Sequence, residues 1–196
     1  MKSKFVKNFF HGAREIISLL DLNKLDKLIE ELKKLKLRQG RLFILGVGGS
    51  AGNASHAVND FRKICEIQAY CPTDNVSELS ARVNDEGFEN VFNQWLRISM
   101  LTSKDALLIF SVGGGNLKKN VSVNIINAIK YAHKKKAKVF SIVGRDDGYA
   151  YKKSNISIKI PTYEGKLVTP YSESFQVLLW HCMVSDSRLQ KNKTKW

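Results

Sequence analysis

Two pairs of side chains stand at spacings that could support chemistry. His56 and Asp60 are four residues apart, which places them on one face of any helix that contains them. Glu173 and His181 are eight apart, two turns and a little, and so share a face roughly. Imidazoles and carboxylates gathered in this way serve proton transfer or the ligation of a divalent metal. Each pair alone is ambiguous. His56 and Asp60 read equally well as a surface pair, and His181 sits in the apolar run VLLWHCMV as a core histidine would.

A different signal lies just upstream of His56. Residues 46–60 read GVGGSAGNASHAVND, directly after the apolar run RLFIL. Gly46-Val47-Gly48-Gly49-Ser50-Ala51 fits the loose dinucleotide fingerprint. That reading also wants an acidic residue at the end of the second strand to take the ribose hydroxyls. The strand ends Tyr70-Cys71-Pro72-Thr73, and Asp74 comes one residue late. Asp74 or Asn75 with Glu78 reads better as a helix cap. A Walker nucleotide loop is absent from the chain.

A second turn, Ser111-Val112-Gly113-Gly114-Gly115-Asn116, follows the third apparent strand, and Ser122 opens the helix after it. Two Ser/Gly turns at the carboxyl ends of two parallel strands can aim N–H groups and hydroxyls at one small anion. The matched pair points to a monophosphate.

These groups need a scaffold, and the hydropathy pattern supplies one. Short continuous apolar runs at 41–45, 66–71, 106–112, 138–143 and 156–160 predict strands covered on both faces. Helical segments are expected at 50–63, 76–83, 87–100, 121–135 and 168–187. One strand per helix predicts a single three-layer α/β/α domain on a five-stranded parallel sheet. In such sheets ligands sit outside the carboxyl ends of the strands, where both glycine turns fall. Ahead of the sheet, Leu22, Leu25, Ile29, Leu32 and Leu35 mark a long amphipathic N-terminal helix from about 16 to 37, or two helices broken at Asp21. The expected organisation is a helical assembly segment over 1–40, the α/β domain over 41–188 and a basic tail over 189–196.

Composition narrows the class. The chain has 196 residues, long enough for one well-buried domain and short for two. No uncharged apolar run approaches the roughly 20 residues of a membrane span. The start MKSKFVKNFFHGAREIISLL has a broken apolar stretch and no small-residue cleavage site, which argues against a signal peptide. Cys65, Cys71 and Cys182 form no CxxC pair and leave an odd thiol, which suits a reducing cytoplasm. The net charge of +14 invites a nucleic-acid reading. Yet much of it is lysine spread over 33–36, 118–119, 134–138 and the tail, as expected of solvated helix faces and a frayed terminus. Neither a membrane nor a nucleic-acid partner is expected.

Taken together, GVGGSAGNASHAVNDF, VNDEGF over 83–88, SVGGGN, GRDDG over 144–148 and ESFQVLLWH over 173–181 resemble the SIS (sugar isomerase) family, and closely its phosphoheptose isomerases. The resemblance runs from about residue 42 to 185. It implies an aldose–ketose isomerase that converts sedoheptulose 7-phosphate to a heptose 7-phosphate, feeding nucleotide-activated heptose for lipopolysaccharide or capsule, without nucleotide or redox cofactor. It implies that Asp60 and His181 are the catalytic pair. Gly48, Gly49, Ser50, Asn84, Asp85, Ser111, Val112, Gly113, Asn116, Ser122 and Glu173, with Asp60, are implied as substrate contacts. His56, Asp60, Glu173 and His181 fall where some members bind Zn²⁺. Homotetramers with active sites between subunits are implied as well, which gives the N-terminal helix an assembly role.

Departures from the family pattern are specific. Val47 stands where the family usually has Asn, SVGGGN replaces a Ser-Thr-Ser-Gly pattern, and about four residues are added before Ser122. Asp60 replaces a glutamate and Glu173 a glutamine. If Glu173 and His181 share one regular helix, they lie about 12 Å apart along its axis. Both then reach one ion only if Glu173 precedes the regular helix or comes from another subunit. A non-catalytic phosphosugar sensor, a protein that binds a DNA-replication or transcription partner, and an isomerase of another sugar phosphate remain alternatives on the same fold.

Overall fold

The structure is a computed structural model and describes residues 4–194. Lys195 and Trp196 of the expected basic tail lie outside the described residues. Five strands, β1 (Leu42–Leu45), β2 (Ala69–Tyr70), β3 (Ala106–Ser111), β4 (Lys138–Val143) and β5 (Ile156–Lys159), form one sheet in the order β2-β1-β3-β4-β5. Every pairing is parallel. The strands read as unbroken apolar runs because alternate residues feed two separate cores. Leu42, Ile44, Leu108 and Phe110 point to one core; Phe43, Leu45, Leu107 and Ile109 point to the other.

The first core is covered by α1 (Lys4–Leu19), α2 (Leu22–Leu37), α3 (Gly49–Lys63) and α8 (Val168–Ser185). The second is covered by α5 (Val91–Ile98), α6 (Val123–Lys134) and α7 (Tyr149–Lys153), with Leu79 of α4 (Val76–Glu86) packed against it. The N-terminal segment is two helices, not one, with the break at 20–21. Asp21 caps α2 by accepting a hydrogen bond from the Lys24 N–H at 3.0 Å. Helix α2 buries Leu25, Leu28, Ile29, Leu32 and Leu35 in the first core, so it is a structural layer of the α/β unit. Helix α1 buries only Gly12 and Ile16 and leaves Phe5, Phe10, Ile17 and Leu19 exposed.

Three other elements differ from expectation. Strand β2 is two residues long, because the chain after α3 first closes that helix: the Ile67 N–H bonds the Phe61 carbonyl and the Glu66 N–H the Arg62 carbonyl. Helix α4 runs through Asn84 and Asp85 to Glu86, and Gly87 ends it at φ 80°. The VNDEGF segment is therefore mostly a helix end, not a loop. The single turn of α7 is too short to show a hydrophobic period, and it was not expected. Among the described residues no helix is long and apolar enough to cross a membrane.

At the amino end of the sheet one buried carboxylate ties β1 to β3. Asp105 is 2% exposed and accepts from the Arg41 backbone and guanidinium and from the backbone and hydroxyl of Thr102. Burial alone would raise its pKa; the Arg41 and Thr102 hydrogen bonds outweigh that, and the net direction is down. A depressed carboxyl stabilises the fold above its unfolded pKa, near 3.9, and loses that contribution as pH falls through the folded value. Replacing Asp105→Asn is expected to cost about 2–3 kcal/mol at pH 7 by leaving Arg41 without its counter-charge. The cost should shrink in denaturant titrations repeated below pH 4, as the unfolded carboxylate takes up a proton first and the native one follows at its lower value.

Candidate active site

The chemistry-bearing residues meet where α3 crosses α8. Asp60, on the last full turn of α3, is 6% exposed. Its Oδ2 accepts a hydrogen bond from Trp180 Nε1 at 3.1 Å, and its Oδ1 one from Asn59 Nδ2 at 3.0 Å. Trp180 is fully buried and stacked on Phe110, so the indole presents its one polar atom to the carboxylate from a fixed position. His56 lies one turn back on α3, with Nε2 3.6 Å from Asp60 Oδ2. His181 follows Trp180 on α8, with Nδ1 also 3.6 Å from that oxygen. The two imidazole rings stand edge to face, 5.4 Å apart. Farther along the same contact, Asn53 Nδ2 donates to the Glu173 carbonyl and to Gln176 Oε1, both at 2.9 Å, and locks the two helices in register.

One nitrogen from each histidine and one Asp60 oxygen lie within 4.8 Å of one another. Zinc takes N and O ligands at about 2.0–2.2 Å and stabilises three-ligand sites with an open fourth position. Donors 3.6 Å apart are within twice that radius, so these three residues fit a divalent ion. Glu173 is not among them. It lies two turns nearer the start of α8, where its carboxylate rests against Gly49; a Cβ added there would meet Glu173 Cδ at 2.6 Å. The eight-residue rise between Glu173 and His181 keeps them apart within one chain, as the helix geometry requires.

A recess of about 400 Å³ opens over the three donors, and Asn59, Lys63, Ile64, Ser185 and Lys193 help line it. Lys193 arrives on a C-terminal segment that is anchored, not frayed. Leu189 is buried, the Lys191 and Asn192 N–H groups bond the Ile64 carbonyl, and Asn192 Nδ2 bonds the Lys63 carbonyl. Before it, Arg188 bridges Asp26, Glu30 and Asp186.

The glycine turns follow β1 and β3, the first at the opposite end of α3 from Asp60. Gly46 allows the first turn, since a Cβ there would strike the Ser50 carbonyl, and Gly48 at φ 64° opens α3. Gly48 and Gly49 are exposed and Ser50 is buried. The anion facing this helix start is the Glu173 carboxylate, a placement the helix dipole favours. In the second turn, Ser111 is buried and its Oγ accepts from the Gly114 N–H at 3.0 Å. Val112 and Gly114 bond the 144–150 segment through their carbonyls. Asn116 and Val121 pair as an antiparallel bridge, so the added residues form a small hairpin. Ser122 follows at φ 49° with no side-chain capping bond. A recess of about 200 Å³ here is lined by Gly113, Asn116, Lys119, Arg145, Asp147 and Gly148, among others. Asn84 and Asp85 are exposed at the end of α4, bonded to each other, and line neither recess.

Trp180, Lys63, Lys193, Lys119 and Arg145 were not singled out by sequence reasoning. Trp180 and Arg145 sit inside quoted motifs, but nothing in residue type alone says that an indole will hold a carboxylate. Lys119 and Lys193 are placed by a hairpin and a C-terminal strap that carry no periodic signal.

A five-stranded parallel sheet with two glycine turns at its carboxyl edge and a His/Asp/His cluster on the covering helices defines a sugar-phosphate-type α/β domain. The chain belongs to the SIS domain family, whose profile matches residues 8–144. Among its relatives, a phosphoheptose isomerase of Buchnera aphidicola subsp. Schizaphis graminum is 30% identical over 177 residues, covering 88% of this chain and 81% of that protein. A phosphoheptose isomerase of Aliarcobacter butzleri is 28% identical over 201 residues, 96% of this chain and 99% of that one. The lincomycin biosynthesis protein LmbN of Streptomyces lincolnensis is 33% identical over 150 residues, 74% of this chain, which spans about half (54%) of that longer protein. The structure of phosphoheptose isomerase GmhA from Neisseria gonorrhoeae superposes with a TM-score of 0.79 at 25% identity, over 92% of each chain.

Trp180→Phe keeps most of the buried ring and removes the hydrogen bond to Asp60. The substitution is expected to cost about 2–3 kcal/mol in urea denaturation, the range for a lost bond to a charged acceptor plus reduced volume. Affinity for a divalent ion at the His56–Asp60–His181 cluster, followed by competition with a chromogenic chelator, should fall by roughly 10-fold, as is typical when a partner of a ligand is removed.

Proposed function

We propose that this chain is a phosphoheptose isomerase that interconverts sedoheptulose 7-phosphate and D-glycero-D-manno-heptose 7-phosphate by moving a proton between C1 and C2. The observation that carries the reading is the convergence of His56, His181 and the buried Asp60 on one recess, in a chain aligned almost end to end with proteins of that name. An aldose–ketose shift needs one group to take a carbon-bound proton and a second to exchange a proton with the neighbouring oxygen. Asp60 Oδ2 is held by Trp180 and faces both imidazoles, so Oδ1, bonded by Asn59, is the oxygen suited to the carbon proton. His181 turns Nδ1 toward Asp60, which leaves Nε2 for the oxygen. Lys63 and Lys193 surround the developing enediolate with positive charge. When bound by His56, Asp60 and His181, a Zn²⁺ ion would supply Lewis-acid polarisation of the substrate carbonyl.

The phosphate belongs at the second glycine turn, and the first turn with Glu173 suits sugar hydroxyls, since a carboxylate accepts from hydroxyls and repels phosphate. Gly49 and Asp60 are separated by eleven residues of α3, about 16 Å at helical rise. That span is about the full length of an extended seven-carbon sugar phosphate, and the second turn lies on another strand, which favours a site shared between chains. A complete site therefore combines the cluster of one chain with the turns of another, which supports a homotetramer with active sites between subunits. Glu173, seated on Gly49, would then join the cluster of a neighbouring copy. Three free cysteines are consistent with work in the cytoplasm.

Purified, zinc-replete protein incubated with sedoheptulose 7-phosphate should yield the aldose product by NMR; absence of turnover in an intact oligomer would remove the proposal. Asp60→Asn and His181→Gln should each lower kcat by at least about 100-fold with the fold retained. Mixing inactive Asp60→Asn protein with inactive Glu173→Ala protein under subunit-exchange conditions should restore activity. No recovery in verified mixed oligomers would show that the site lies within one chain.

A further inference from the structure

The recess at the second glycine turn is built differently from the Ser/Gly cradle expected there. Neither expected hydroxyl lines it: Ser111 is buried and engaged with Gly114, and Ser122 lies outside the lining. Two cations line it in their place. Lys119 is carried there by the hairpin closed at Asn116 and Val121, whose turn is fastened by Asn116 Oδ1 accepting from the Lys119 N–H at 3.1 Å. Arg145 reaches it from the turn after β4, which is bonded to the glycine turn through the Gly144 N–H to the Val112 carbonyl at 3.0 Å. Among the described residues neither the Lys119 ammonium nor the Arg145 guanidinium has a hydrogen-bond or salt-bridge partner. Asp146 is occupied by Lys159. Asp147 is the one carboxylate in the lining, and it is bridged to neither cation. The lining thus carries two positive charges against one negative, over a glycine floor beside the start of the twelve-residue helix α6.

We propose that Lys119 and Arg145 hold the phosphate monoester dianion of the substrate, so that this chain grips phosphate by paired cations where hydroxyls were expected. The proposal rests on the isomerase reading for the identity of the ester, but not for the anion itself. A guanidinium offers a planar fork to two phosphate oxygens, and an ammonium on a flexible stem offers a mobile point charge. Such a grip is ionic, so binding weakens as salt rises. Asp147 opposes it and limits its strength. Both cations line a recess that shares no residue with the one over the His56–Asp60–His181 cluster, so they bear on capture of the substrate and not on proton transfer.

The test titrates inorganic phosphate into wild-type protein and into Lys119→Gln, Arg145→Gln and Asp147→Asn variants by calorimetry, at low and at high salt. In parallel, KM and kcat are measured for sedoheptulose 7-phosphate. Each cation removal should weaken phosphate binding and raise KM by about 10-fold, with kcat changed less than about twofold. Asp147→Asn should shift both constants the other way by a few fold, a sign that a merely structural role would not produce. Equal phosphate binding by wild type and both glutamine variants, or none by wild type, overturns the proposal whether or not the enzyme isomerises. Loss of phosphate binding in the variants of a protein that turns over no heptose phosphate upholds the cation grip and rejects the isomerase reading.

Discussion

The close packing of α3 on α8 is the constraint on which the rest depends. It is fixed at one end by Asn53 bridging the Glu173 carbonyl and Gln176, and at the other by Trp180 donating to Asp60. These two ties set the register of the helices. Register then decides that Trp180 and His181 both face His56, and that Glu173 lies on Gly49. The same helix that opens at a glycine turn ends at the buried Asp60 carboxylate. Its rigidity keeps the turn and the carboxylate at a set separation along one rod, because a helix cannot shorten to bring them together.

Asp60 illustrates how a buried charge is tolerated. Removing a carboxylate from water is costly unless hydrogen bonds replace its hydration. Here an indole and an amide supply neutral donors, one for each oxygen, while the imidazoles stand back at 3.6 Å. Neutral donors hold the group in place without a permanent ion pair at the carboxylate.

Much of this was legible in the chain. The strands read as apolar runs because both sheet faces are covered, and the range 138–143 coincides with β4. The pairing of His56 with Asp60 follows from helical spacing; His181 joined them through likeness to the family, and the packing of α8 on α3 brings it there. The break at Asp21 was one of two readings, and the cap to Lys24 decides it. Other features had no local signal. A single turn such as α7 has no period, β2 is curtailed by the closure of the preceding helix, and the placement of Lys119 depends on a bridge between residues that spacing does not pair. Glu173 was grouped with the metal ligands by likeness to the family, and helix rise keeps it from them within one chain.

The anchored C-terminal segment has a practical side. The carbonyls of residues 61–64 at the end of α3 all find partners, two from the chain just after the helix and two from residues 191 and 192. The segment that carries residues 191 and 192 thus doubles as the stopper of the helix that bears Asp60. Removing residues 188–194 would unseal the last turn of α3 and strip Lys193 and Thr194 from the recess that holds the histidines, both at once.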